Sequence, residues 1–132
     1  MSTGLFLQDL FSRLSAVNSE TGPSPILAIP FLIPDAADAD YDVVLDVKFE
    51  VIDVIVRKDG AGAGNTITVK NGATAISDVM VAAVDKAVTR AGTISSVAAV
   101  NVVLAGGTLR VSAHKAAGSM AALVTVVGFP RQ

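Results

Sequence analysis

Thr66-Ile67-Thr68-Val69-Lys70-Asn71-Gly72 decides how this chain reads. Polar and apolar side chains alternate from Thr66 to Lys70, and Asn71-Gly72 is a strong signal for a tight hairpin turn. The same grammar recurs downstream. Gly106-Gly107 interrupts the chain and Thr108-Leu109-Arg110-Val111-Ser112 alternates again. Ala117-Gly118-Ser119 makes another break, and Leu123 to Val127 runs apolar up to Gly128-Phe129-Pro130. Short β-branched runs between Gly and Asn breaks predict antiparallel strands in an all-β sandwich or barrel, jelly-roll-like in its use of many short strands.

Upstream, Asp42 to Arg57 carries the longest strand signal. Val43, Leu45, Val47, Phe49 and Val51 face one way, opposite Asp46, Lys48 and Glu50. The phase then flips, so that Ile52, Val54 and Val56 alternate with Asp53 and Arg57. Side chains on a strand repeat every two residues, so a flip requires a bulge, a bend or a change of sheet, expected here at Glu50 to Asp53. Ile55 breaks the pattern by sitting on the polar side of the second half. Lys58 to Asn65 holds three alternating glycines. It lacks the last Gly of a dinucleotide fingerprint and the Gly-Lys-Ser/Thr of a P-loop, so it reads as a flexible hairpin connection. Ile76 to Val88 is ambiguous between a helical stripe and irregular chain. It is read as a loop or short turn leading to a strand from Ala87 to Ile94, with a further strand from Val97 to Leu104.

The first forty residues differ. Leu5, Phe6, Leu7, Leu10, Phe11, Leu14 and Val17 recur at spacings of three and four, which places them on one stripe of a short N-terminal helix. That helix either docks on a partner or folds back on the sheet. Pro23, Pro25, Pro30 and Pro34 then forbid helix and block central strand pairing. Between them lie Ile26, Leu27, Ile29, Phe31, Leu32 and Ile33, which makes an extended apolar arm that packs on its own domain or on a neighbouring subunit. The division predicted is an N-terminal helix and Pro-rich arm over 1–40 and a β-sandwich domain over 41–132.

Composition bounds the function. The 132 residues carry a net charge of -2, and their ten Lys and Arg are scattered, which leaves no electrostatic footprint for nucleic acid. Cysteine is absent, so neither a disulfide framework nor a thiolate metal site exists. No apolar run is long enough to span a bilayer, the N-terminal stretch does not read as a signal peptide, and the polar face of the first helix lacks the basic excess of a membrane-surface helix. Hydrophobic residues reach 52% while charged ones stay at 17%, below the ~25% of an average domain. Such a chain is expected to bury surface against a neighbour as well as in its own core, which predicts a homo-oligomer.

No residues announce chemistry. Asp38, Asp40 and Asp42 match the opening of a calcium loop, but Val43 stands where the turn needs Gly and Phe49 where a bidentate Glu belongs. The acidic run of Asp35, Asp38, Asp40, Asp42 and Asp46 therefore reads as an exposed turn. His114 is the sole histidine, and no nucleophile elbow, metal-binding helix motif or phosphate loop appears. The chain reads as a non-enzyme with no catalytic, cofactor-binding or metal-binding residues and no cofactor.

The stretch Thr66-Ile67-Thr68-Val69-Lys70-Asn71-Gly72-Ala73-Thr74-Ala75-Ile76-Ser77-Asp78 resembles a pattern in small structural proteins of tailed bacteriophages. So do Ala87-Val88-Thr89-Arg90-Ala91-Gly92-Thr93-Ile94 and Leu104-Ala105-Gly106-Gly107-Thr108-Leu109-Arg110-Val111. These look like capsid decoration, or cement, proteins and the base domains of head fibers. The resemblance runs from Asn65 to Val127, about half of the chain, and rests on strand-and-turn patterns. It implies a β-sandwich that assembles as a trimer or another small oligomer on the capsid exterior of the virion, with the major capsid protein lattice as its partner and no catalytic residues. A fiber or tail-associated module that recognises a host receptor is the alternative. A sugar-binding version of it calls for exposed aromatic platforms, and the chain has one Tyr, five Phe and no Trp.

Overall fold

The computed structural model describes residues 26–131. The helix expected within residues 2 to 18 lies outside them. Ten strands follow in order: β1 (Leu27–Ile33), β2 (Ala39–Val44), β3 (Lys48–Lys58), β4 (Thr66–Asn71), β5 (Thr74–Ala75), β6 (Met80–Val81), β7 (Val88–Arg90), β8 (Val102–Val103), β9 (Thr108–His114) and β10 (Ala122–Arg131). A single helical turn, α1 (Ala98–Asn101), precedes β8.

All pairings are antiparallel and form two sheets. The first has the order β1-β10-β3-β7, with β8 also on β3. The second has the order β2-β9-β4-β5, with β6 also on β4. Taken as pairs, β1 meets β10, β2 meets β9, β3 meets β7 and β8, and β4 meets β5 and β6. This is one long antiparallel ribbon folded at its middle and rolled until β10 touches β3 and β9 touches β4. With β5/β6 and β7/β8 counted as two interrupted strands, the topology is that of an eight-stranded jelly roll.

The core lies between the sheets and is built from alternate residues. Ile29, Phe31 and Ile33 of β1, Phe49, Val51, Val54 and Val56 of β3, Ile67 and Val69 of β4, Leu109 and Val111 of β9, and Val124 and Val126 of β10 are all buried. The alternation read from Thr66 to Lys70 and Thr108 to Ser112 is therefore the sandwich's inside and outside. The expected phase flip in β3 is present and is a bulge. Val127 faces Asp53 and Gly128 faces Val51, which leaves Ile52 unpaired between them. Asp53 Oδ1 accepts from the Val54 amide at 2.8 Å on the same bend. Gly128 opposite the bulge is required by space, because a Cβ there falls on the Glu50 carbonyl oxygen and comes within 2.7 Å of the Phe49 ring.

Several expectations need correction. The apolar arm does not stand apart from the sandwich. Its residues Leu27 to Ile33 are β1, so the strands begin before residue 41, and a boundary between 40 and 41 cuts β2. Proline is tolerated at Pro30 because β1 is an edge strand and pairs on one side only. The change of sheet falls at Leu45 to Val47, between β2 and β3, and not at the bulge. Residues 59–65 do not close a hairpin, because β3 and β4 lie in different sheets. The strand expected over Ala87 to Ile94 is confined to Val88–Arg90. The strand expected over Val97 to Leu104 is α1 followed by β8. Ala98 and Ala99 favour the helical turn, and the Asn71 amide donates to the Val100 and Val102 carbonyls at 3.1 Å, which satisfies the end of that turn.

Asn-Gly marks its turn one residue early. Asn71 is the last residue of β4, while Gly72 and Ala73 form the two-residue loop, Gly72 with φ +59 at the first central position. That is the position where a type II′ hairpin requires glycine. β5 then ends because the amides of Ile76 and Ser77 both donate to the Val69 carbonyl, at 2.8 and 3.2 Å, and throw the chain out of register. Ser77 Oγ accepts from the Val69 amide at 3.0 Å and keeps that disruption satisfied.

Candidate functional site

The loops β1–β2, β3–β4, β6–β7 and β9–β10 converge at one end of the roll. Their hub is Lys58, the last residue of β3. It continues the inward phase of Val54 and Val56, so its side chain enters the sandwich and only 1% of it remains exposed. Nζ donates to the carbonyls of Ser119 at 2.5 Å, Gly60 at 2.8 Å and Ala121 at 3.2 Å, with the Asp59 carbonyl at 3.4 Å. Burial pushes its pKa down, opposed by the field of Asp35, Asp59 and Asp85. Asn65, also buried, donates from Nδ2 to the same Ser119 carbonyl at 2.7 Å and accepts the amides of Ala116 and Ala117 on Oδ1. Gly118, with φ +58, packs directly on the Ala61 carbonyl and has no room for a Cβ. These buried polar groups pin the glycine-rich loop to the β9–β10 loop. The glycines serve close backbone packing, and no helix follows them to hold a phosphate.

The outer face of the second sheet is polar. Register places Asp40 beside Ser112 and Asp42 beside Arg110 across β2 and β9, with Thr68 and Lys70 of β4 beyond them. Arg110 Nε and Nη2 donate to the two oxygens of Asp42 at 2.8 and 3.0 Å. Ser112 Oγ donates to Asp40 at 2.6 Å, and His114 Nδ1 bonds Asp38 at 2.7 Å. Lys115 Nζ donates to Asp35 at 2.9 Å. The acidic run is thus only partly an exposed turn: Asp35 and Asp38 precede β2, Asp40 and Asp42 lie on it and meet partners on β9, and Asp46 lies in the β2–β3 corner. Among the described residues no group of three His, Cys, Asp or Glu side chains is placed to hold a metal ion. Asp38, Asp40, Thr66, Thr68, Lys70, Ser112 and His114 line a shallow trough of about 420 Å³ on this face.

The partners of the acidic run set an acid response. The hydrogen bonds from Lys115 and from the Met120 amide lower the pKa of Asp35, those from His114 and the Lys115 amide lower that of Asp38, and Arg110 lowers that of Asp42. A carboxylate with a depressed folded pKa stabilises the fold above its ordinary value of about 4 and loses that contribution as pH falls through the folded value. Thermal melts are expected to hold steady from neutral pH to about 5 and to drop below about 4, with Asp42→Asn giving a shallower acid limb. These groups are exposed, so each effect is modest.

The outer face of the first sheet is apolar along β1 and β10 and carries Arg57, Asp53 and Arg90 along β3 and β7. One row across it is Leu32, Leu123, Arg57 and Val88; the next is Pro30, Thr125, Ile55 and Arg90; a third is Ala28, Val127 and Asp53. Leu32 is 82% exposed and Val88 64%, while Leu123 is more than a third exposed. Two grooves flank Leu32, one of about 290 Å³ running to Arg57 and Lys86, the other of about 380 Å³ against Tyr41 and Pro30. Val79, Val81 and Val84 add a second exposed apolar cluster beside β6. The neighbouring side chains of Leu32, Leu123 and Pro30 make the β1–β10 side of this face a stronger interaction candidate than singly exposed residues.

Sequence reasoning missed both Lys58 and this face. Lys58 reads as the start of a loop unless the inward phase of Val54 and Val56 is carried one step further. The face has two signals: Ile55 on the wrong side of its strand, and the run Leu123 to Val127, which is apolar on both sides of β10 except at Thr125. No helix among the described residues is long and apolar enough to cross a membrane. Comparison with protein-family models, with curated proteins and with solved structures finds no match. The class that fold and surface define is therefore a small jelly roll with one polar sheet face and one that is apolar along its β1–β10 side.

Proposed function

We propose that the protein is a structural virion component that decorates and stabilises the outside of a tailed-phage capsid, with the major capsid protein lattice as its partner. The observation that carries this reading is the apolar β1–β10 side of the first sheet's outer face, in a chain whose strand-and-turn pattern resembles capsid decoration proteins. Jelly rolls recur in capsid and lectin domains, where the fold supplies rigid faces for association. A protein that binds only the assembled lattice stabilises it by mass action, without any reaction. On this reading the chain is a non-enzyme that needs no cofactor, and it binds neither nucleic acid nor membrane.

The chain assembles as a homotrimer, with Val79, Val81 and Val84 as the apolar surface between copies. Sedimentation at micromolar concentration is expected to give the mass of three chains, and a monomer across that range removes this part of the reading.

Adsorption to capsids tests the function. Purified protein is expected to co-sediment with heads that lack it and to ignore unassembled capsid protein. Leu32→Asp is expected to weaken adsorption about tenfold or more, because it sets a charge on the most exposed residue of the apolar β1–β10 side. The substitution leaves folding intact, since Leu32 is largely exposed. Adsorption unchanged by Leu32→Asp contradicts the use of this face.

The polar trough on the second sheet favours a second reading, a fiber or tail-associated module that recognises a host receptor. Lys70 and the hydroxyls of Thr66, Thr68 and Ser112 offer hydrogen bonds there without an aromatic platform. Binding to host cells in place of heads, abolished by Thr68→Val, is what that reading expects.

A further inference from the structure

We propose that the two grooves beside Leu32 take one extended segment of the partner, with an acidic residue in the first groove and a large apolar residue in the second. The identity of the partner rests on the capsid reading, while the chemistry of the segment rests on the grooves themselves.

The first groove, of about 290 Å³, is walled by the apolar Leu32, Ile33, Ala122 and Leu123 and by the cations Arg57 and Lys86. Arg57 is exposed on β3, and register sets it between Leu123 of β10 and Val88 of β7. Its neighbours on both sides are therefore apolar. Arg90, Arg110, Arg131 and Lys115 each have a carboxylate partner, whereas Arg57 has none among the described residues. Lys86 holds a left-handed backbone, φ +65, and is the one non-glycine residue to do so among the described residues. A side chain with a Cβ disfavours that conformation, and such outliers gather at binding sites. The turn is fixed to the end of β3, because the Lys86 amide donates to the Lys58 carbonyl and the Lys58 amide to the Ala87 carbonyl, both at 3.0 Å. It brings Lys86 to the same groove as Arg57. Lys86 Nζ reaches Asp59 at 3.3 Å, but both side chains are largely exposed, and so weak a pair exchanges for another carboxylate.

The groove suits a carboxylate more than a phosphate. The amides of Lys58, Asp59 and Lys86 beside it already donate to the carbonyls of Ala87, Ala121 and Lys58. Phosphate sites draw on free backbone amides. A carboxylate needs only the planar fork of Arg57, which can bind both its oxygens at once. Apolar walls strengthen such a bond by excluding water.

The second groove, of about 380 Å³, lies across Leu32 against Pro30 and Tyr41. No cation lines it, and its one carboxylate, Asp42, is held by Arg110. It therefore offers apolar surface alone. In an extended chain, side chains two positions apart face the same way at about 7 Å. One segment passing over Leu32 thus reaches both grooves.

The probe is acetyl-Leu-Ala-Glu-Ala-Leu-amide, which sets an apolar residue two positions from the carboxylate in either chain direction, against its Gln counterpart. Titrated into the full chain and followed by NMR, the Glu peptide is expected to shift the amides of Leu32, Arg57, Lys86 and Leu123. It is expected to bind about tenfold tighter than the Gln peptide. Arg57→Gln is expected to remove that preference, and Lys86→Gly, which suits the left-handed backbone, to reduce it. Both variants keep the fold, since both side chains are exposed. Equal binding of the two peptides, no shifts up to about 10 mM, or shifts centred on Thr68 and Lys70 of the second sheet overturn the proposal. Peptide selectivity without adsorption to heads supports the grooves and removes the capsid reading. Adsorption weakened by Leu32→Asp but unchanged by Arg57→Gln keeps the capsid reading and overturns the grooves as its contact.

Discussion

A chain that begins at residue 41 is expected not to fold. The deletion takes away β1, which covers the β10 edge from Ala122 to Gly128 and contributes Ile29, Phe31 and Ile33 to the core. Truncating one large buried apolar side chain costs about 2 to 5 kcal/mol. Three such losses together reach the whole stability of a typical domain, roughly 5 to 15 kcal/mol. The deletion also leaves the β10 ladder unpaired and its inner face open to water. A chain that begins at residue 26 keeps every strand and is expected to fold. Circular dichroism and thermal melting of the two fragments decide the point: a strand spectrum with a cooperative melt for 26–132, and neither for 41–132. A folded 41–132 fragment shows that β1 is a dispensable arm after all.

Lys58→Ala is expected to cost about 3 kcal/mol, from the lost packing of a buried side chain and the lost charge-assisted hydrogen bonds. The carbonyls of Gly60, Ser119 and Ala121 lose their shared donor; Ser119 keeps the bond from Asn65 Nδ2 and Ala121 the bond from the Asp59 amide, which leaves the Gly60 carbonyl to be satisfied anew. Each charge-assisted bond is worth about 1.5 to 3 kcal/mol, and relief of the buried charge's desolvation offsets part of that loss. Lys58→Met keeps the volume and loses the donors, so it is expected to recover only the packing part. Denaturant unfolding of the three proteins gives the order wild type, Lys58→Met, Lys58→Ala. If Lys58→Met equals wild type, the carbonyl cage contributes no stability, and the two loops are held by Asn65, by the Ser119 hydroxyl and by the backbone bonds between them.

How much was legible in the sequence depended on whether a signal was local. The alternation in Thr66 to Lys70 and Thr108 to Ser112 marks inside and outside directly, because it depends only on the two-residue period of a strand. The bulge at Ile52 was legible for the same reason. What failed was partnership. Nothing local says that residues 27–33 pair with β10, which lies about ninety residues later in the chain, so apolar residues between prolines read as an arm. The same limit hid Lys58, whose acceptors come partly from Ser119 and Ala121 on the far loop. At Val97 to Leu104 the β-branched residues argued for strand, while the carbonyl bonds from Asn71, a tertiary contact, allowed a helical turn instead. The acidic run was readable as charge but not as a ladder, because its Arg110, Ser112 and His114 partners sit some seventy residues away.

The central claim is that the protein works by holding a capsid together. Its most direct measurement is the thermal disruption temperature of heads lacking the protein, before and after purified protein is added. The account predicts that addition raises the temperature, that the rise saturates with bound protein, and that Leu32→Asp removes it at equal concentration. Heads that disrupt at the same temperature with and without saturating protein contradict it.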